Sequence, residues 1–137
     1  MIYYIADNHF GHKNVIRFDN RPFADTVLMD EVLVHNWNER VTEDDTVYIL
    51  GDCFWKNEEN SVKLIQRLKG HKHLIRGNHD RVHGRLRFYY ESIEHYAEIN
   101  DNDRLVILCH YPIPFYKNQH YGAVMLYGHV HNTREQD

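Results

Sequence analysis

Seven residues of this chain could jointly hold metal ions: Asp7, His9, Asp52, Asn78, His110, His129 and His131. They occur in the strings "IADNH", "LGD", "RGNHD", "CH" and "YGHVH", and each string closes a short apolar run. Carboxylate and amide oxygens together with imidazole nitrogen suit first-row transition metals better than calcium. Seven donors exceed the needs of one such ion. They suffice for two if one carboxylate bridges and water completes each shell. Two-metal sites set their ions roughly 3.5–4 Å apart and clamp the attacking and leaving oxygens of a displacement at phosphorus. Taken singly, each string is weak. Gly51-Asp52 alone is a turn, and a lone His110 is a hydrogen-bonded structural histidine. Their shared position after apolar runs is what joins them.

Those runs define the elements that must position the donors. "IYYIA" has strand character and ends at Asp7. A long polar and aromatic loop comes next, from His9 to Ala24, with "NRPF" as its turn. From Thr26 to Arg40 the residues Leu28, Met29, Val32, Leu33 and Trp37 recur at helical spacing, with Asp25 placed to cap them. "TVYIL" is a β-rich run ending at Gly51-Asp52. "KNEEN" reads as an exposed loop, and a second helix is expected from Ser61 to Lys69, stopped by Gly70. "KHLIR" is a strand that ends at Gly77-Asn78-His79-Asp80, and the stretch after Asp80 can be read as a short helix through Leu86. "EHYAEI", the turn "NDND" and "RLVILC" predict a hairpin ending at His110. "AVMLY" is the last strand, before Gly128-His129. Alternating strands and helices succeeded by a strand-rich half predict one mixed α/β domain over 1–137. In open α/β sheets ligands bind beyond the carboxyl ends of the strands, where all the donor strings fall.

Composition sets the outer limits. The chain has 137 residues with 42% hydrophobic content, enough for a core and against disorder. Its net charge of −4 offers no basic field, so long nucleic acid is an unexpected partner, whereas a nucleotide or small phosphate ester is not excluded. Cys53 and Cys109 lack the spacing of a disulfide scaffold and read as buried thiols of a reducing compartment. No secretory leader and no run long enough to span a bilayer is legible, which predicts a cytoplasmic protein without a membrane partner.

The motif order D-x-H, G-D, G-N-H-[DE], H, G-H-x-H is similar to that of the calcineurin-like metallophosphoesterases. Here it is Asp7-Asn8-His9, Gly51-Asp52, Gly77-Asn78-His79-Asp80, His110 and Gly128-His129-Val130-His131. The stretch "HFGHKNVIRFDNRPF" resembles a small bacterial and phage branch of that family. The resemblance implies a two-sheet α/β sandwich flanked by helices, metallo-dependent phosphatase-like. It implies that Asp7, His9 and His131 hold one metal, that Asn78, His110 and His129 hold the other, and that Asp52 bridges both. It makes His79 a catalytic group facing the phosphate and Asp80 the carboxylate that orients it. The implied reaction is hydrolysis of a phosphomonoester or phosphodiester by a metal-activated hydroxide. The cofactors would be two divalent ions, manganese, iron, zinc or nickel, which sequence does not distinguish. Members of the family continue past G-H-x-H into further strand. The resemblance therefore leaves three readings of this chain: a shortened C-terminal sheet edge, an edge covered in a homo-oligomer, or a truncated form.

Other polar residues carry paired readings. His12, Lys13, Asn14, Arg17 and Arg21 lie in the first loop, where His12 and Arg17 would touch substrate if the loop overhangs the metals and would otherwise be solvated. Tyr111, Pro112, Phe115 and Tyr116 come after His110 and either wall a pocket for a nucleobase or aryl group or pack their own loop. His71, His73, His83, His95 and His120 match no motif and read as structural or surface residues. The competing functional class is a non-catalytic metal-binding scaffold that recruits protein partners. A structural zinc module is opposed by the oxygen-rich donors and the absence of clustered cysteines.

Overall fold

The computed structural model describes residues 1–82 and 84–130. Four parallel strands form the first sheet in the order β1 (Ile2–Ile5), β2 (Thr46–Ile49), β3 (His71–Ile75) and β4 (Ser92–Glu94). Parallel neighbours need crossovers, and helices supply them. Between β1 and β2 run α1 (Lys13–Phe18) and α2 (Thr26–Arg40), and α3 (Glu58–Ile65) lies between β2 and β3. A 3₁₀ helix over Gly84–Tyr89 leads into β4. The second sheet has the order β5 (Tyr96–Asp101), β6 (Arg104–Cys109) and β7 (Val124–Leu126), with β5 and β6 antiparallel and β6 and β7 parallel.

Two apolar layers hold this together. One face of the first sheet buries Val47, Ile49 and Leu74 against Val34 and Trp37 of α2 and Val62 and Ile65 of α3. The other face meets the second sheet, where Leu50 and Ile75 pack with Val106, Leu108, Tyr4, Ala97 and Val124. The molecule is therefore a mixed α/β fold with two sheets and flanking helices. Among the described residues, no helix is long and apolar enough to cross a membrane.

Sequence and structure agree on α2 to its ends. The Asp25 carboxylate accepts from the Leu28 backbone N–H at 2.8 Å and caps the first turn. The buried stripe is shifted, however: Val34 is buried, whereas Leu28 is 48% exposed. Three expectations are corrected. The first loop contains α1, which buries only Val15. "KNEEN" is not a loop throughout, because the Asn57 side chain accepts from the Asn60 N–H and starts α3 at Glu58. Ser92 and Ile93, unassigned in the sequence, and Glu94, expected to open the hairpin strand, instead pair with His73–Ile75 as β4, and the hairpin strand begins at Tyr96.

Candidate metal centre

The donor strings converge because each leaves its strand at the same edge. Past β1 the chain turns sharply, with Asp7 and His9 both in the left-handed region at φ of 52° and 53°. Asp52, at 52°, does the same past β2, as does His129, at 70°, past β7. Among the described residues, the other non-glycine positions with positive φ are asparagines and an aspartate, all outside the donor set: Asn20, Asn102, Asp103 and Asn118. Left-handed backbone at a histidine or an aspartate is uncommon and is held only by surrounding bonds. Those bonds are present. The Asp7 N–H donates to Gly51 O at 3.1 Å, and the His9 N–H donates to Asp52 O at 2.9 Å.

Asp52 is the hub. Its carboxylate is buried, and Oδ1 accepts from the His79 N–H at 2.9 Å. Its Oδ2 lies 3.7 Å from His9 Nε2 on one side and 3.4 Å from His110 Nε2 on the other. His9 Nε2 also approaches Asp7 Oδ1 at 3.8 Å. His110 Nε2 lies 3.0 Å from Asn78 Oδ1. Asp7, Asp52 and His110 can bring one donor atom each to within 4.8 Å of one another. Two lobes thus share one carboxylate: Asp7, Asp52 and His9, and Asp52, Asn78 and His110.

His110 tests whether a cation fits. The ring is fully buried, and its Nδ1–H donates to the Leu50 carbonyl at 2.7 Å, since a carbonyl can only accept. The opposite nitrogen then faces two oxygens, Asp52 Oδ2 and Asn78 Oδ1. A neutral imidazole has no second proton for them, so either the ring is protonated or a cation lies between. The protonation equilibrium shows the same pull. Burial disfavours charge on His110, but the bond to Asp52, the Leu50 carbonyl and the charges of Asp52 and Asp7 outweigh it and raise the ring above its ordinary value. Asp52 is the mirror image: burial pushes its carboxyl up, but the bonds from His110 and the His79 N–H hold it below the carboxylate range. The donor set therefore fits a divalent ion.

The other expected site residues take varied positions. His129 places its N–H 3.0 Å from Asp7 Oδ2, and its ring lies 5.2 Å from that of His110. His131 and His83 lie outside the described residues. His79 is exposed at the rim, with Asn78 Nδ2 donating to its Nε2 at 2.9 Å. His12 sets Nδ1 2.9 Å from His9 Nδ1, and burial, then the nearby His9, His79 and Arg21, lowers its pKa. Tyr111 stands with its ring 5.0 Å from His110 and 4.8 Å from His129. Arg17 is on the exposed side of α1 with its guanidinium 5.5 Å over Phe18, and its described contacts do not reach the cluster.

One role is corrected. Asp80 does not bond the His79 ring among the described residues. Its buried carboxylate accepts from the backbone N–H groups of Asp52 (2.8 Å), Gly77 (2.7 Å) and Cys53 (3.1 Å). It therefore fixes the two turns that carry Asp52 and Asn78. The sequence also hid two contributors. Arg21 donates to the carbonyls of Asp7 (2.8 Å) and Asn8 (2.7 Å) and holds the first turn. Trp55 stacks on His12 at 3.9 Å and meets His79 edge-on at 4.4 Å. The only sequence signal for Trp55 was its place three residues after Asp52. Two glycines are required by proximity. A Cβ on Gly77 would lie 2.7 Å from Asp52 N, and one on Gly128 would lie 2.6 Å from Asp7 Oδ2.

Comparison with known proteins places this arrangement in a lineage. No family model matches the chain. An uncharacterized protein, MJ1445 of Methanocaldococcus jannaschii, is 35% identical over 132 residues, which cover 95% of this chain and 69% of the archaeal one. The chain belongs to the family of that protein. The gene 66 protein of Mycobacterium phage L5 is 38% identical over 85 residues, 59% of this chain and 40% of the phage protein. Among solved structures, the protein of unknown function AQ665 from Aquifex aeolicus is similar with a TM-score of 0.77 and 28% identity, over 98% of this chain and 81% of that one. The crystal structure of AQ665 shares the fold over almost the whole chain.

Proposed function

We propose that this chain is a metal-dependent hydrolase of phosphate esters with a dinuclear centre, of the calcineurin-like metallophosphoesterase type, and that its two facing sheets form the sandwich of that fold. The reading rests on Asp52 Oδ2, a single buried oxygen within 3.7 Å of His9 Nε2 and 3.4 Å of His110 Nε2. Asp7, His9 and Asp52 would hold one ion, with His131, from outside the described residues, as the fourth donor of the sequence pattern. Asp52, Asn78, His110 and His129 would hold the other. When bound, such ions polarise phosphoryl oxygens and make a water nucleophilic near neutral pH. The chain does the rest. Asp80 and Arg21 keep the donor turns fixed through backbone bonds, which holds the geometry rigid. With Asn78 Nδ2 donating to Nε2, the His79 ring has Nδ1–H left as a hydrogen-bond donor for a phosphoryl or leaving oxygen at the rim.

The test is hydrolysis of p-nitrophenyl phosphate and bis-p-nitrophenyl phosphate with added manganese, with and without chelator. Turnover that the chelator abolishes is expected, together with its loss in Asp52→Asn. Absence of turnover on both esters, with metal bound, would favour the non-catalytic scaffold. Anomalous scattering at the manganese, iron, zinc and nickel edges would identify the ions.

A further inference from the structure

We propose that the cavity beside His79 seats the leaving alcohol of the substrate, and that this alcohol is nucleoside-sized and carries a flat aromatic ring. The inference rests on the phosphoester reading and adds the substrate class to it. Asn78 and His79 border both the candidate metal centre and a cavity of about 440 Å³, whose other walls include Trp55, Tyr90 and Arg81. An ester phosphorus at the metal centre would therefore have the cavity on the His79 side. In hydrolysis the water oxygen bonds to phosphorus, the phosphorus–alcohol bond breaks, and the departing oxygen, hydrogen-bonded by His79, takes up the proton that the water gives up. The alcohol then lies in the cavity.

The walls specify its chemistry. Trp55 is pinned by His12, parallel to it at 3.9 Å and 15°, and by His79 edge-on at 4.4 Å and 60°. Trp55 lines the cavity and still leaves 41% of its surface exposed. A fixed, part-exposed indole in a cavity wall offers aromatic surface for a ring to pack on. Tyr90 is a buried member of the lining. Arg81 stands on the polar side with no ion pair among the described residues, whereas Lys56 is already paired with Asp30 at 2.9 Å. The Arg81 guanidinium would donate to sugar hydroxyls. The volume falls in the range of about 300–1,000 Å³ that encloses drug-sized ligands, so a simple phenyl group would leave much of it empty. Tyr111, the aromatic expected from sequence to wall a substrate, stands instead against His110 and His129 and does not line this cavity.

The experiment measures adenosine binding to the metal-free protein by calorimetry, with ribose as the ringless control. Adenosine is expected to bind and ribose not. Trp55→Ala is expected to weaken adenosine by about tenfold, in line with the loss of one base–aromatic stack. Val82→Phe, which fills the cavity without touching the Trp55–His12 stack, is expected to do the same. Circular dichroism of both variants checks that they fold. Failure of adenosine to bind, or equal binding to wild type and both variants, overturns the proposal. If adenosine does not bind but the nitrophenyl esters are hydrolysed, this inference fails alone. If adenosine binds and no ester is hydrolysed with metal present, the phosphoester reading fails, and with it the role of the cavity as a leaving-group seat.

Discussion

Replacing Gly77 by alanine adds one methyl group at the point where two donor turns touch. Gly77 does not need a left-handed backbone, so the substitution carries no torsional penalty of its own. Its effect is steric. The new Cβ would lie 2.7 Å from the Asp52 backbone nitrogen and 3.0 Å from Asp52 Cγ, with Oδ1 closer still. Carbon contacts are optimal at about 3.5–4.0 Å, so Asp52 and Gly77 must separate by roughly 0.5–1 Å. The Asp52 N–H and the Gly77 N–H share Asp80 Oδ2 as acceptor, so neither turn can move without straining that bond. Overpacking of this kind costs about 1–3 kcal/mol of stability. A shift near 1 Å in a reacting constellation can cost about 100-fold in rate. Gly77→Ala is therefore expected to remain folded at 25 °C, to bind less than the full complement of metal, and to lose about two orders of magnitude in kcat on p-nitrophenyl phosphate. Metal content by mass spectrometry and steady-state kinetics measure both effects. Wild-type kcat with full metal content would refute the close approach and the hub role given to Asp52.

Asp80→Asn exchanges a carboxylate serving three backbone N–H groups, two of them in buried bonds, for a side chain with one acceptor oxygen. It is expected to cost about 1–3 kcal/mol in urea unfolding of the metal-free protein, since a buried donor goes unpaired. A loss of activity with unchanged stability would instead restore an orienting role toward His79. Asp25→Ala removes the α2 cap and is expected to cost about 1 kcal/mol without altering metal binding, checked by thermal melts. His73 supplies a pH dependence. Burial lowers its pKa against a partial pull upward from Glu91, so the folded value lies below the unfolded value of about 6.5. Its contribution to stability is full above the unfolded value and is lost as pH falls through the folded one. The melting temperature of His73→Gln is expected to rise relative to wild type as pH drops from 8 to 5. Parallel curves would contradict it.

The elements with strong local pattern were legible in the sequence. Residues 26–40 combine a capping aspartate with helical apolar spacing, and both ends of α2 result from them. The hairpin of β5 and β6 results from strand runs flanking Asn102 and Asp103, two residues that tolerate the positive φ they adopt. Short elements were not legible. A helix of six residues and a strand of three carry too little periodicity, and α1 and β4 form because the sheet and its crossover accept them. Within the site, residue types indicated donors but not roles. An aspartate beside a histidine suggests a pair, yet Asp80 serves backbone groups that come from a turn 27 and 28 residues away. Such bonds depend on how turns pack, and no spacing encodes them. Trp55 and Arg21 were obscured for the same reason.

The bond between the His129 N–H and Asp7 spans 122 positions of sequence. It gives the molecule an order of assembly. On a ribosome Asp7 emerges early and β1 can pair with β2 soon after, which places Asp7 beside Asp52 while the strand that carries His129 is still unsynthesised. For that interval the nascent chain holds two neighbouring carboxylates without the backbone group that later ties Asp7 down. Metal captured then would sit in an incomplete shell and exchange freely. On the proposed reading, tight retention would begin only once the segment that carries His129 has docked, so that segment acts as the latch on a chamber whose opposite wall is the turn after β1.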